Sequence, residues 1–331
     1  MYVGKIPPDV LKKQILPFLG AKRAEVLVGP KFGEDCAVLE LGDYLLALSC
    51  DPITGTASDL GRLAVHVSCN DIAATGAEPV GLLLTFLFPP QTAEEEMQLL
   101  VKETHRVAGN LGVAILGGHT EVTSTVQQVV IAATALGKVK REHLVTSSGA
   151  RAGDDVIITK WAGLEGTVIL ATDLAFKLRE ILPGEVIDRA KKMGEYLSVV
   201  PEGIIAAKAG ATAMHDATEG GVLGALVELA SASEVGMEIW QEAIPLTDET
   251  RLICQSLQID PLALISSGAM LITSPAGSGI LEVLESAGIT AHVIGKVSSG
   301  PDMVMVNEGR KTELKAPLRD ELYKALERFS R

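Results

Sequence analysis

The chain is poor in aromatic residues: Phe, Tyr and Trp make up 4% of its 331 residues. Its cores must therefore be built from aliphatic side chains, as in α/β proteins with buried strands. Cysteine is scarce too. Cys36, Cys50, Cys69 and Cys254 form no C-x-x-C pair. Neither a zinc knuckle nor a thioredoxin-like site is expected, and the four read as buried, reduced thiols. Positive charge is in deficit, with 29 Lys and Arg against 42 Asp and Glu and a formal charge of −13. That argues against nonspecific attraction to nucleic acid or to an anionic membrane. It leaves room for an anionic substrate handled by local lysines, backbone N–H groups or a divalent cation. No run approaches the roughly 18 apolar residues of a transmembrane helix, and the N-terminus lacks a signal-peptide pattern. A cytoplasmic protein is expected. Three common motifs are missing as well: a P-loop, a G-x-S-x-G elbow, and a G-x-G-x-x-G following a first strand. A nucleotide site here is of another type.

Aliphatic material is plentiful. Hydrophobic residues make up 47% of the chain, and the length suits two domains. In the first half the pattern gives a hairpin, with strands near Cys36–Glu40 and Tyr44–Ser49 around a Gly42–Asp43 turn. A loop over Pro52–Ser58 leads to an amphipathic helix, Asp59–Thr75, stopped by Gly76. A buried strand (Val80–Phe88), a helix (Thr92–Leu111) opened by a Thr92/Glu95 capping box, a short strand (Val113–Leu116) ending in a glycine turn, and a strand at Gln127–Leu136 follow. This β-β-α-β-α-β-β order describes helices on one face of a sheet. The polar segment Val139–Gly153 marks a boundary, giving domains over 1–145 and 146–331. The second half alternates strands and helices, and closes on a charged amphipathic helix, Asp320–Arg331. The fold class is α/β (α+β).

Three stretches could carry chemistry. The hairpin ends bear Asp35 and Asp51, which lie side by side if the hairpin forms, and Asp71 sits beside Asn70 within the apolar helix. Asp35, Asp51 and Asp71 together suit a hard cation such as Mg²⁺, which takes carboxylate oxygens and bridges to phosphates. They equally suit separate cap and turn residues. The run Gly117–Gly118–His119–Thr120 follows a strand, where glycines let a backbone approach a ligand. His215–Gly221 (HDATEGG) lies where a strand hands over to a helix. With Gly220 and Gly221 there, the helix start suits an anion, although Asp216 or Thr218 also serves as a plain N-cap.

Six segments in this order, GEDCAV (Gly33–Val38), Asp51, NDIAATGAEP (Asn70–Pro79), GGHTEV (Gly117–Val122), HDATEGGV (His215–Val222) and HVIGKV (His292–Val297), resemble one superfamily. It includes aminoimidazole ribonucleotide synthetase (PurM), thiamine-monophosphate kinase, selenophosphate synthetase and the hydrogenase-maturation dehydratase HypE. The run DPLALISSGAMLI (Asp260–Ile272) is similar to the HypE branch. The resemblance implies a two-domain PurM-like fold, a homodimer whose N-terminal sheets join in a barrel, and ATP bound with Mg²⁺ in a cleft. Carried over by position, Asp35, Asp51 and Asp71 are the metal and phosphate acids, and Asp71 and Asp216 the catalytic ones. Asn70, Asp35, Gly117, Gly118, His119, Thr120, Gly220 and Gly221 are nucleotide contacts. Two departures stand out. No cysteine follows Cys254, whereas HypE proteins carry a reactive terminal cysteine, and His119 stands where the family has an acid, with Glu121 a possible substitute. The N-terminal reactive residue of selenophosphate synthetase has no counterpart before Cys36. The implied activity is ATP- and Mg²⁺-dependent activation of an amide- or carbonyl-type oxygen, or phosphorylation of a small molecule. The alternatives are a non-catalytic nucleotide-binding maturation partner and a thiamine-monophosphate-type kinase.

Overall fold

The computed structural model describes residues 3–54, 56, 58–275 and 279–329. Gly55 and Ala57 of the expected Pro52–Ser58 loop, and Ser330 and Arg331 of the expected final helix, lie outside the described residues. A short helix, α1 (Pro8–Val10), widens into a π-turn over Leu11–Ile15. The first layer then runs β1 (Val26–Val28), β2 (Ala37–Leu41), β3 (Tyr44–Ile53), α2 (Leu60–Ala74), β4 (Glu78–Phe88), α3 (Glu94–Asn110), β5 (Ala114–Val122) and β6 (Val130–Val139). The six strands form one sheet in the order β1-β2-β3-β6-β4-β5. The β-β-α-β-α-β-β order holds from β2 onward. All pairs are antiparallel except β4 with β5.

Three local expectations need correction. Helix α2 is buried on nearly every side, from Leu60 and Leu63 through Asn70 and Asp71 to Ala74. A helix apolar all round is a core helix rather than an amphipathic surface one, and α2 sits between the sheet, α3 and the second domain. The α3 cap falls one residue later than the Thr92/Glu95 spacing suggests: Glu96 accepts from the Ala93 N–H at 3.3 Å. Strand β5 does not stop at Leu116. It continues through Gly117 and Gly118 to Val122, so the expected glycine turn is strand.

The second domain comprises β7 (Asp154–Thr159), α4 (Leu164–Asp173), α5 (Ala175–Leu178), α6 (Gly184–Lys192), α7 (Val200–Lys208), β8 (Ala213–Asp216), α8 (Gly221–Ser233), β9 (Gly236–Trp240), α9 (Asp248–Leu257), β10 (Met270–Pro275), α10 (Ile280–Ser286), β11 (Ala291–Ser298), β12 (Met303–Asn307), β13 (Arg310–Glu313) and α11 (Glu321–Phe329). Its seven strands are ordered β13-β12-β9-β11-β7-β10-β8. This is a two-domain α/β architecture, as the sequence resemblance implies.

The core does not respect the domain boundary. One apolar cluster joins Leu63, Ile72 and Leu82 of the first domain to Leu164, Val168 and Leu197 of the second. The polar connection is pinned rather than loose. The Val145 N–H donates to the Thr75 carbonyl at 3.1 Å, and the Ser147 N–H to Glu34 at 3.1 Å. These bonds fix the end of α2 and the loop before β2 against the second sheet. Among the described residues no helix is long and apolar enough to cross a membrane.

Candidate active site

The β2–β3 register sets Ala37 opposite Leu48. Extended by two residues, it brings Asp35 beside Cys50 and Asp51, as the hairpin argument expects. Asp71 reaches the same place from α2, and Asp216 from the end of β8. All four line one cavity of about 780 Å³ shared by both domains. Ser49 ties two of them together: its hydroxyl donates to Asp71 Oδ2 and lies 3.1 Å from Asp51 Oδ2.

Such crowding resists ionisation. Burial, then the charges of Asp216 and Asp51, push the Asp71 carboxyl well above the usual range. Burial and the charge of Asp35 raise Asp216 to about 7, against the opposing pull of His215 and Lys5. Asp216 is 1% exposed. Its Oδ2 has no hydrogen-bond partner among the described residues. A buried carboxylate oxygen without a partner is costly.

Two cations face this cluster. His215 donates from Nδ1 to Asp35 Oδ1 at 2.6 Å and from Nε2 to Glu228 Oε2 at 3.0 Å. Burial alone would lower its pKa, but the two carboxylates outweigh burial and raise it well above the imidazole norm. His215 is therefore an imidazolium that aims Asp35 into the cavity. Lys5 donates from Nζ to Thr218 Oγ1 at 3.2 Å and lies 3.6 Å from Glu228 Oε1. Burial opposes its charge, yet Glu228, Asp35, Glu219 and Asp216 raise its pKa. With its side chain half exposed, the surrounding carboxylates dominate. Glu228, though desolvated, is held down to about 2 by Lys5 and His215. Sequence reasoning quoted His215 only as part of a motif and missed Lys5, Glu228 and Ser49. A His immediately before Asp216 was the one available signal; Lys5 lies more than 200 residues from its partners and left none.

The other expected contacts lie elsewhere. Asn70, fully buried, donates from Nδ2 to the Leu197 carbonyl and accepts from the Val199 N–H, both at 2.8 Å. Its amide clasps the second domain, and Asn70 does not line the cavity. Gly117, Gly118, His119 and Thr120 lie on β5, three strands from β3, and every residue of β5 is exposed. His119 Nε2 is 3.0 Å from Glu121 Oε2. Gly118 has φ +142°, and a Cβ there would stand 1.8 Å from the Leu84 carbonyl oxygen. The neighbouring strand alone accounts for that glycine. Gly220 donates its N–H to Asp320 Oδ2 at 2.6 Å. At that start of α8 the anion is the chain's own carboxylate, and neither Gly220 nor Gly221 lines the cavity.

The thiols divide. Cys36 donates to the Asp71 carbonyl at 3.2 Å, and burial with the nearby acids raises its pKa well above normal. Burial pushes Cys69 and Cys254 to about 12. These three are inert at neutral pH. Cys50, contrary to expectation, is exposed.

Two family models match this chain: the N-terminal domain of AIR synthase related protein over residues 33–139, and its C-terminal domain over 151–307. The chain belongs to the AIR synthase related family. A protein of Methanocaldococcus jannaschii named for hydrogenase expression/formation is 30% identical over 301 residues, 88% of each chain. The carbamoyl dehydratase HypE of Azotobacter vinelandii is 28% identical over 270 residues, 80% of this chain and 75% of that one. The crystal structure of a hydrogenase maturation protein HypE in complex with ATP superposes with a TM-score of 0.68, at 22% identity and 95% coverage of both chains. The family and the HypE-like character implied by the sequence motifs are thus supported from both sequence and fold.

The family match covers all four cavity aspartates, while Lys5 lies outside it. The donor set consists of hard carboxylate oxygens, one of them buried and unpartnered, and suits a hard divalent cation. Among the described residues no three His, Cys, Asp or Glu side chains are grouped to hold one ion. A cation here would take one or two carboxylates and complete its shell from water and a ligand, the habit of Mg²⁺ rather than Zn²⁺.

Proposed function

We propose that the chain is an ATP- and Mg²⁺-dependent enzyme that activates an amide- or carbonyl-type oxygen, or phosphorylates a small molecule, in the cavity between its domains. The observation that carries this reading is the convergence of Asp35, Asp51, Asp71 and Asp216 from four separate elements. Asp71 and Asp216 are buried there, and for both the burial and the neighbouring acids disfavour the charged form that a bound cation would restore. One or two of the carboxylates of Asp51 and Asp71, joined by Ser49, and Asp35, held by His215, would hold Mg²⁺; when bound it would neutralise charge on a polyphosphate. The chain's own residues do the rest. His215 fixes the direction of Asp35, and Lys5 places a positive charge at the cavity mouth. Asp216, with its pKa near neutrality, is suited to hold or release a proton next to the acceptor oxygen. The walls from both domains shield the reactants from water, and phosphoryl transfer depends chiefly on such positioning.

The similarity to HypE proteins, one of them crystallised with ATP, supports the reading. Its test is calorimetric titration of ATP with Mg²⁺ into the intact protein, with ADP release measured alongside. Binding in the wild type, and loss of turnover in Asp71→Asn, are expected. Absence of any ATP or ADP binding with Mg²⁺ present overturns it.

A homodimer is part of the proposal. Strand β5 is an exposed edge, and Leu116 and Val122 on it are more than half exposed. Bare apolar edges invite pairing, and a second sheet set against this one would cover them. Light scattering on the wild type and Leu116→Glu, which is expected to dissociate, checks it.

A further inference from the structure

The segment ahead of α1 runs along the interdomain cavity. Val3, Gly4 and Lys5 line that cavity together with Asp35 and Asp216. Little apolar packing holds the segment there. Every residue from Val3 to Asp9 is exposed, with Val3 at 64% and Ile6 at 49%. Side-chain burial therefore does not seat it, and polar contacts must. They converge on Glu219. Its Oε1 accepts from the Lys5 N–H at 2.5 Å, and its Oε2 from the Tyr323 hydroxyl at 3.2 Å. Tyr323 belongs to α11, so one carboxylate ties this segment to that helix. Glu219 and Tyr323 line the cavity too. Gly4 permits the close approach: its φ is +119°, and a Cβ there would stand 2.3 Å from Glu219 Oε1 and 3.0 Å from the Tyr323 ring. Glycine adopts that φ without the strain an L side chain would bring.

The seat itself is rigid. Glu219 lies in the turn before α8, where the Thr218 carbonyl accepts from the Gly221 N–H at 3.0 Å and from the Ser266 N–H at 3.3 Å. Asp320, just ahead of α11, accepts from the Gly220 N–H at 2.6 Å and from the Leu322 N–H at 2.8 Å. Turn and helix are thus pinned together beside Glu219. From this seat the Lys5 side chain donates to Thr218 Oγ1 at 3.2 Å and stands 3.6 Å from Glu228 Oε1, with 52% of it still exposed. An ammonium carries more donors than these two partners use, so it can also meet an anion in the cavity.

We propose that Glu219 is a positioning residue: seated against α11 through Tyr323, it holds the segment Val3–Lys5 as a strap along the cavity, so that the Lys5 ammonium meets the phosphates of a bound nucleotide. The proposal rests on the reading of this cavity as an ATP site, and it gives that site a strap whose anchor is α11. Lys5 supplies the charge, and Glu219 acts through it. Fixing a flexible cation in advance spares the ordering entropy that binding would otherwise cost.

Calorimetric titration of ATP, and separately of inorganic tripolyphosphate, each with Mg²⁺, into the full chain tests it. Glu219→Ala should weaken both ligands about tenfold, the loss of one charge-assisted contact. Lys5→Met should weaken them as much. The double variant should lose no more than either single one, because both substitutions remove the same contact. Glu219→Gln offers one acceptor oxygen to two donors and should fall between wild type and Glu219→Ala. In ADP release the loss should appear in KM for ATP, with kcat changed less than about twofold. Hydrogen exchange at the Lys5 amide should quicken more in Glu219→Ala than in Lys5→Met, whose backbone N–H still meets Glu219. Additive losses in the double variant, or wild-type affinity in Glu219→Ala, overturn the proposal. Circular dichroism confirms folding, and Glu219→Gln with Tyr323→Phe carries the test should Glu219→Ala not fold. Glu219-dependent tripolyphosphate binding in a protein that binds no ATP would uphold the strap and sink the ATP reading, so the two failures are distinguishable.

Discussion

The His215 imidazole reaches across the domain boundary and stands 2.6 Å from Asp35 Oδ1. Asp35 belongs to the loop before β2, and His215 to β8 of the second domain. On its other side His215 holds Glu228 of α8 at 3.0 Å. One ring therefore fixes a cavity acid and links the two sheets. Replacing it with Ala leaves Asp35 without its imidazolium and Glu228 with Lys5 alone. Breaking a buried pair from one side costs about 3–5 kcal/mol. His215→Ala should show a marked fall in the denaturant midpoint, partly recovered by Glu228→Gln in the same chain because one of the two charges is then removed. A midpoint equal to wild type would mean that the ring does not carry the charge assigned to it.

Asn70 is the corresponding clasp on the other side. Asn70→Ala strands a buried carbonyl at Leu197 and a buried N–H at Val199. At about 1–3 kcal/mol for each unsatisfied group, a loss of roughly 2–6 kcal/mol is expected in urea unfolding. Calorimetric affinity for ATP should barely change in the folded variant, because Asn70 does not line the cavity. A large loss of nucleotide affinity at unchanged stability would restore the nucleotide contact implied by the sequence resemblance.

Gly33 starts the GEDCAV segment with φ +84°, and a Cβ there would meet the Glu228 carbonyl oxygen at 2.5 Å. Gly33→Ala meets both a left-handed backbone and a rigid wall. Backbone strain of this kind costs roughly 1–3 kcal/mol. The loop must move, and it carries Asp35 with it. Thermal melting should drop, and ATP turnover should fall further than the destabilisation accounts for. Unchanged turnover in the folded fraction would separate Asp35 from the reaction.

Glu165 gives the pH prediction. Burial raises its folded pKa to about 7, from an ordinary carboxyl value of 4.5. The native state then holds more protons than the unfolded state between those values, so stability falls as pH rises through this window. The Glu165 contribution is complete below about pH 4.5 and lost above about pH 7, about 3 kcal/mol at 1.36 kcal/mol per unit. Asp320 and Glu219 face the same group and act in the same direction. Glu165→Gln should therefore flatten the decline in unfolding free energy between pH 5 and 7, and it should be the more stable chain at pH 7. Parallel pH profiles for the two proteins would show that Glu165 is not the group titrating.

The sequence by itself determined the elements and the acids. Alternating and helical periodicities placed β2, β3, α2, β4 and α3 within a few residues, because burial of aliphatic side chains dictates those periods. A hairpin around Gly42 was enough to bring Asp35 and Asp51 together, since antiparallel ends must meet. What the tertiary structure decided was where long-range partners fall. Lys5 reaching Glu228, His215 reaching Asp35, and Asn70 turning toward Leu197 join residues more than a hundred positions apart, and no local pattern encodes such pairs. The glycines at 117 and 118 show the same limit. Locally they read as a turn, but β4 pairs with them, and the Leu84 carbonyl leaves no room for a Cβ at Gly118. Periodicity records which face of an element is buried; only packing of the two domains decided which buried polar atoms among the described residues found partners and which, such as Asp216 Oδ2, were left facing a cavity.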